Sequence, residues 1–443
     1  MPSRRVPAEP GLPVLPPAIA RAGTAASLLA ILLATLTPAG QDALVGGGFF
    51  CLSCGAAPVA NLLRNILLFL PLGFFSFGVW QSLGASVLLG AALTGAVESA
   101  QMVIPGRNPL LVDLLANTTG AFLGAVAAKS LPFWLQPREP TRRGGSTRSW
   151  AFGGILAAAA LVAAAPGWLL APDPPDSALW VHWNHHVPPF GPYPGAVLEA
   201  HMGELPLEPG RVPDGYELSS RWVAGDTLVL QFESVTPHPG ARGLLRIVSG
   251  PTGRELVTLV ADGTALAANV PLRADEVGLT RPRHRAPRVL AGSAPGDTVR
   301  LALTVRADGG LDVQGPVQHW RGPGIDPSMG WSLLYFPGRT GPAGRAALGT
   351  VWCWLLLFIP AALADGRAAA ALAPMVLVGV LGVSPLFLGH VTPLPVAGWA
   401  GGAAGWLAGR AARHWLQSRL PRDRRPGPAS PAEGSGPAQV TRL

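Results

Sequence analysis

Charge is scarce in this chain. Only 13% of its 443 residues are Asp, Glu, Lys or Arg, against 49% hydrophobic, which is too little charge for an ordinary soluble protein. Lysine is nearly missing, with Lys129 alone, and the arginines behind the net charge of +8 gather in the tails and one linker. A basic surface for nucleic acid is therefore not expected. Cysteine is limited to Cys51, Cys54 and Cys353, which excludes a disulfide framework. Cys51 and Cys54 form a CxxC that leaves a small disulfide loop, inert thiols, redox chemistry and half of a metal site open. No second CxxC accompanies it, and neither a metal nor a cofactor is expected.

Long apolar runs stand where the charge is missing. About 20 residues at ~1.5 Å each cross ~30 Å of hydrocarbon, and about eight runs reach that length. They predict a polytopic α-helical membrane protein: a cytoplasmic tail over residues 1–17, a four-helix membrane unit over 18–132, a basic cytoplasmic linker over 133–148, a fifth helix over 149–171, three more helices within 342–412, and a basic disordered tail over 413–443. The first run is read as a retained helix, since no clean cleavage site precedes Thr37-Pro38. Basic residues Arg4, Arg5, Lys129, Arg138, Arg142, Arg143, Arg148, Arg367, Arg413, Arg419 and Arg422 all fall on one side under eight spans. By the positive-inside rule that side is the cytoplasm, so the region between helices five and six lies outside.

That region, residues 172–341, has no apolar run of membrane length. It has short alternating segments such as 227–235 (TLVLQFESV), 243–248 (GLLRIV) and 298–306 (TVRLALTVR), divided by turn signals at Asp262-Gly263 and Asp308-Gly309-Gly310. An extracytoplasmic all-β sandwich is the expectation. With its closing segment MGWSLLYFP at 329–337, its length and strand rhythm resemble concanavalin A-like or laminin-G-like jelly rolls. Within it, residues 180–186 (WVHWNHH) combine aromatics and amides suited to stacking on sugar rings. His182 and His186 have metal-ligand spacing only if helical, which the flanking prolines oppose, and a loop covering the core is the plainer reading.

The polar exceptions to the apolar runs concentrate in residues 61–124: Asn61, Arg64, Asn65, Glu98, Gln101, Arg107, Asp113 and Asn117. Asn61 with Asn65, Glu98 with Gln101, and Asp113 with Asn117 are three or four residues apart, so each pair shares a helix face. The runs that hold them begin or end at the same membrane depth, which clusters them around the loop of Arg107. Charged groups inside hydrocarbon are costly and mark functional sites, although polar side chains also bind helices to one another. The order N-x-x-x-F-x-P-L-G, E-x-x-Q, P-G-R, D-x-x-x-N-x-x-G-x-x-x-G resembles the VanZ-like family of bacterial membrane proteins. The resemblance rests on Asn65, Phe69, Pro71, Gly73, Glu98, Gln101, Arg107, Asp113, Asn117, Gly120 and Gly124. It departs at Leu110, where relatives often have a further Asp. The resemblance implies a four-helix membrane unit and a link to the cell envelope.

The second half carries faint echoes of the first. LLFLP at 67–71 recurs as LLFIP at 356–360, and NPLLV at 108–112 as TPLPV at 392–396. Ungapped, the second match sets Asp113 against Ala397, Asn117 against Gly401 and Glu98 against Gly382, so an eroded repeat without the polar set is expected. Three functions remain. The first is an envelope protein of binding or antibiotic-resistance type in which Asn65, Glu98, Gln101, Arg107, Asp113 and Asn117 engage a membrane lipid or lipid-linked precursor and the sandwich binds cell-wall glycan. The second is an enzyme acting on a lipid headgroup, with Glu98 or Asp113 as general acid/base and Arg107 holding an anion. The third is an anchor that displays a lectin-like domain.

Overall fold

The computed structural model describes residues 15–37, 50, 57–105, 107, 109–135, 142–175, 177–184, 190–236, 240–250, 253–335 and 341–419. Four helices open the chain: α1 (Pro17–Leu36), α2 (Pro58–Trp80), α3 (Leu83–Gln101) and α4 (Leu111–Leu135). The turn between α2 and α3 is only Gln81 and Ser82. Gln81 takes a left-handed φ of 51° and the Ser82 side chain accepts from Ala85 N to start the next helix. Helix α5 (Arg142–Leu169) absorbs the basic end of the predicted linker into its first turns.

A β region follows: β1 (Leu179–Trp183), β2 (Gly191–Pro192), β3 (Val197–Met202), β4 (Leu205–Pro206), β5 (Gly210–Arg211), α6 (Gly215–Ala224), β6 (Leu228–Glu233), β7 (Ala241–Ser249), β8 (Glu255–Asp262), β9 (Ala265–Asn269), α7 (Arg273–Glu276), β10 (His284–Ala286), β11 (Thr298–Val305), β12 (Leu311–Gln314) and β13 (His319–Arg321). One sheet runs β10-β9-β8-β7-β1-β5 with β2 added in parallel to β7, and the other β13-β12-β11-β6-β3-β4. The hairpins at Gly263 and Gly309 form where the sequence predicts them, each glycine at positive φ. Leu179 and Ile247 of one sheet and Leu230, Phe232 and Leu301 of the other share one core. That core also takes in Ala60 from α2, Leu170 beyond α5, and Leu333 from a 3-10 helix at Pro327–Leu333.

Helices α8 (Pro342–Leu363), α9 (Gly366–Phe387) and α10 (Val396–Arg419) close the fold. Among the described residues seven helices, α1 to α5, α8 and α9, are long and apolar enough to cross a membrane. This is a multi-pass membrane protein. Helix α10 is as long as these, but its glycines and the charges of Arg410, Arg413 and Arg419 keep it below that level of hydropathy. It also runs past residue 413, where the sequence predicts the tail to begin. The reason is that Arg413 is buried: it donates to the carbonyls of Trp134, Ala362 and Leu363 and to Asp365 Oδ1 at 3.0 Å, and Arg148 reaches Asp365 Oδ2 at 3.3 Å.

Two glycine seams repeat one geometry. A β-carbon on Gly124 of α4 would collide with the carbonyl of Leu70 and the amide of Phe74 in α2, and one on Gly120 with the carbonyl of Ile66. A β-carbon on Gly409 of α10 would meet the carbonyl of Phe358 and the amide of Ala362 in α8, and one on Gly405 the carbonyl of Trp354. Both pairs therefore pack backbone to backbone at the same four-residue stagger. In that register Asp113 corresponds to Gly398, Asn117 to Gly402 and Asn65 to Cys353, one residue away from the ungapped sequence match. The polar set has no counterpart in either alignment.

Candidate functional site

The polar residues of α2, α3 and α4 meet at one end of the first helical unit. Asn61 and Asn65 lie one turn apart on α2, and both side chains donate to Asp113 Oδ1 in the first turn of α4, at 2.8 and 2.6 Å. Arg64 donates to Asn61 Oδ1 at 3.1 Å, which orients the Asn61 amide toward the carboxylate. On the neighbouring side, Glu98 Oε2 accepts from Leu110 N at 2.9 Å and so caps the start of α4, where an anion complements the helix dipole. Asn117, one turn below Asp113, donates to Thr94 Oγ1 of α3 at 2.8 Å. Glu98, Gln101 and Asn117 are buried, whereas Asn61, Arg64, Asn65 and Asp113 are half-buried.

Two predicted members take a different place. Arg107 donates from Nε to Thr37 O and from one Nη to Ala34 O and Thr37 O, which neutralises the C-terminal carbonyls of α1. Gln101 donates to Thr35 O at 3.0 Å. These two tie the α3–α4 connection to α1, so the cluster centres on Asp113 rather than on Arg107.

The arrangement leaves open hydrogen-bonding capacity. Asn117 Oδ1 is buried and has no partner among the described residues. Turning the amide over does not help, because Thr94 then faces Oδ1 and the NH2 group is stranded instead. Among the described residues Arg64 makes a single side-chain hydrogen bond, and its guanidinium lies 6.0 Å from the ring centroid of Tyr335. Arg64 stands out in the sequence as a polar exception but belongs to no i,i+4 pair with a partner of its kind. Thr94 carries no motif, and Tyr335 lies in the closing segment 329–337, whose resemblance points to the sandwich and not to the helices.

Tyr335 comes from the β region, which covers this end of the helices. Gly278 O accepts from both Val59 N and Ala60 N at 3.0 Å. The same region grips the second helical unit through Ile325 O, which accepts from Thr392 N at 2.7 Å and from Thr392 Oγ1 at 2.9 Å.

Of the other sequence candidates, Cys51 and Cys54 lie outside the described residues, as do His185 and His186. His182 sits in β1, an extended strand, so helical spacing to residue 186 does not arise. Trp183 Nε1 donates to Leu207 O at 3.0 Å, which spends it on the sandwich itself; the Asn184 NH2 donates to Gly195 O at 2.8 Å while its buried Oδ1 has no partner among the described residues, and Trp180 is exposed. Among the described residues no three His, Cys, Asp or Glu side chains gather in a metal-binding group.

Residues 26–134 match the VanZ/LLP1 family. The match runs from within α1 through almost all of α4 and holds the whole helical part of the polar cluster, while Gly278 and Tyr335 lie outside it. No curated protein and no solved structure matches the chain.

Proposed function

We propose that this chain is an envelope membrane protein whose VanZ/LLP1 unit binds the anionic head of an envelope lipid or lipid-linked glycan precursor, in a binding or resistance-type role. The observation that supports it is Arg64. It is a half-buried cation at the covered end of the helices, and one hydrogen bond to Asn61 leaves most of its fork free for phosphate. Deeper in the same cluster, Asn117 Oδ1 is an unfilled acceptor that suits a headgroup hydroxyl and not the anion itself. Binding is favoured over acid/base chemistry because both carboxylates are held by fixed donors, Asp113 by two amides and Glu98 by a backbone N–H.

In this reading α10 is an eighth span, seated on α8 as α4 is on α2. The helices are two copies of one unit, the second having lost its polar set, and the β domain is inserted between the first two helices of that copy. Arg148 and Arg413, joined through Asp365, mark the cytoplasmic end, so the sandwich and the Arg64 cluster face outward. The sandwich is taken as a jelly roll that contacts glycan.

The test uses the full chain in nanodiscs of phosphatidylcholine with and without phosphatidylglycerol. Native mass spectrometry should find phosphatidylglycerol retained preferentially, and Arg64→Gln should reduce that retention at least fivefold. Equal retention of the two lipids, or an indifferent Arg64→Gln, overturns the reading. Cysteine labelling at Glu204→Cys, an exposed position in the sandwich, should succeed in intact cells if that domain faces outward.

A further inference from the structure

Arg242 opens β7 in the sandwich, and its charge is uncompensated. Among the described residues it makes no hydrogen bond and no ion pair, and its buried Nε has no partner there. Nearby charges are engaged elsewhere: Asp262, at the end of the paired strand β8, is held by Arg285 at 2.8 Å. The guanidinium fits because residue 191, paired with Arg242 across β2 and β7, is glycine; a β-carbon there would collide with Nη1. An unpaired guanidinium with a buried nitrogen is costly to keep, and a site that keeps one is shaped for an anion.

The guanidinium borders a cavity of about 40 Å³ between the two sheets, whose lining includes Tyr193, Ser234, Thr236, Gly240 and Ser293. This is the end of the sandwich away from the helices. Strand β8 starts at Glu255, beside Arg254, which pairs with Asp173 shortly after α5; eight residues of extended strand then carry the chain roughly 25 Å to Asp262 and the cavity.

The geometry points to a second ligand site: we propose that Arg242 and this cavity bind the carboxylate of an acidic saccharide, a uronic-acid unit. The volume admits a group of carboxylate size and not a sugar ring, so the ring stays outside. One guanidinium matches a monoanion through its planar fork, whereas a phosphate dianion calls for more cations than the site has. Ser234, Thr236 and Ser293 both donate and accept, which suits sugar hydroxyls. The proposal deepens the reading of the sandwich as a glycan-contacting domain and is independent of the Arg64 cluster.

The experiment is calorimetric titration of the full chain in nanodiscs with trigalacturonate, its methyl ester and acetate. Trigalacturonate should bind, with the methyl ester and acetate each at least tenfold weaker. Arg242→Gln should lose at least tenfold in affinity with an unchanged melting temperature, since Arg242 makes no internal bonds. Should that variant not fold, Arg242→Lys, which keeps the charge and loses the fork, should bind several-fold more weakly. Equal binding of acid and ester, or an Arg242 variant that binds like wild type, overturns the carboxylate site while leaving glycan contact standing. Acetate as tight as trigalacturonate overturns the saccharide as its source. No binding of any saccharide ends both.

Discussion

The carbonyl oxygen of Gly278 lies 3.0 Å from Ala60 N and equally close to Val59 N, so a loop of the β domain caps a membrane helix. Helix α2 has no cap of its own: its N-cap is Ala57, which offers no side-chain acceptor to the orphan first-turn amides. Gly278 reaches them with a φ of 69°, and a β-carbon there would lie 3.1 Å from Pro58.

Gly278→Val should therefore cost about 1–3 kcal/mol in strain and loosen the cap. Hydrogen exchange at Val59 and Ala60 is expected to rise selectively, with the sandwich core still protected. Unchanged exchange at both amides would show that the cap does not depend on this carbonyl.

Asp113→Asn and Glu98→Gln should accumulate and melt near wild type, because an amide oxygen still accepts from Asn61 and Asn65, or from Leu110 N. Asp113→Ala strands both donors and should lower stability by about 1–3 kcal/mol for each unsatisfied group. Thermal melts of the three purified variants check the order. An Asn variant as weak as the Ala variant would mean that charge, not hydrogen bonding, holds α2 to α4.

At the opposite end, Arg413→Gln leaves the carbonyls of Trp134, Ala362 and Leu363 short of their donor and breaks the link to Asp365. A buried pair broken on one side costs roughly 3–5 kcal/mol, so the protein should melt far lower or fail to accumulate. Arg419→Gln, an exposed change over the Trp415 ring, should stay within about 0.5 kcal/mol.

His284 of β10 is buried, and desolvation, helped by the charges of Arg345 and Arg306, pulls its pKa from 6.5 down to about 4. The folded state thus keeps it neutral while the unfolded chain protonates it below pH 6.5. Its contribution is complete above about pH 6.5 and declines by roughly 3 kcal/mol as pH falls to about 4. Melting curves between pH 7 and pH 4.5 should show that loss, and His284→Gln should flatten it. Asp275 and Asp326, whose carboxyls burial pushes up, change in the opposite direction and are common to both proteins.

The parts of this structure legible in the sequence are those that local periodicity encodes. Asn61 and Asn65 share a helix face because they are four residues apart, and that face meets Asp113 because both helices have an end at the same depth. The hairpins at Gly263 and Gly309 follow from turn chemistry. Arg107 and Arg413 were less legible because their partners are backbone carbonyls at remote helix ends, and every residue type offers the same carbonyl. Gly278 and Tyr335 reach the membrane unit across domains, and no spacing rule relates them to Arg64 or Ala60. The two-residue strands β2, β4 and β5 are too short to show alternation.

The Gly278 cap also sets an order of events. Val59 and Ala60 are synthesised about 220 residues before the carbonyl that satisfies them. At translation rates of about 5–20 residues per second, α2 waits roughly 10–45 s with its leading amides uncapped. For that interval the leading amides of α2 have only water or neighbouring groups to bond, and the arrival of the Gly278 carbonyl satisfies them.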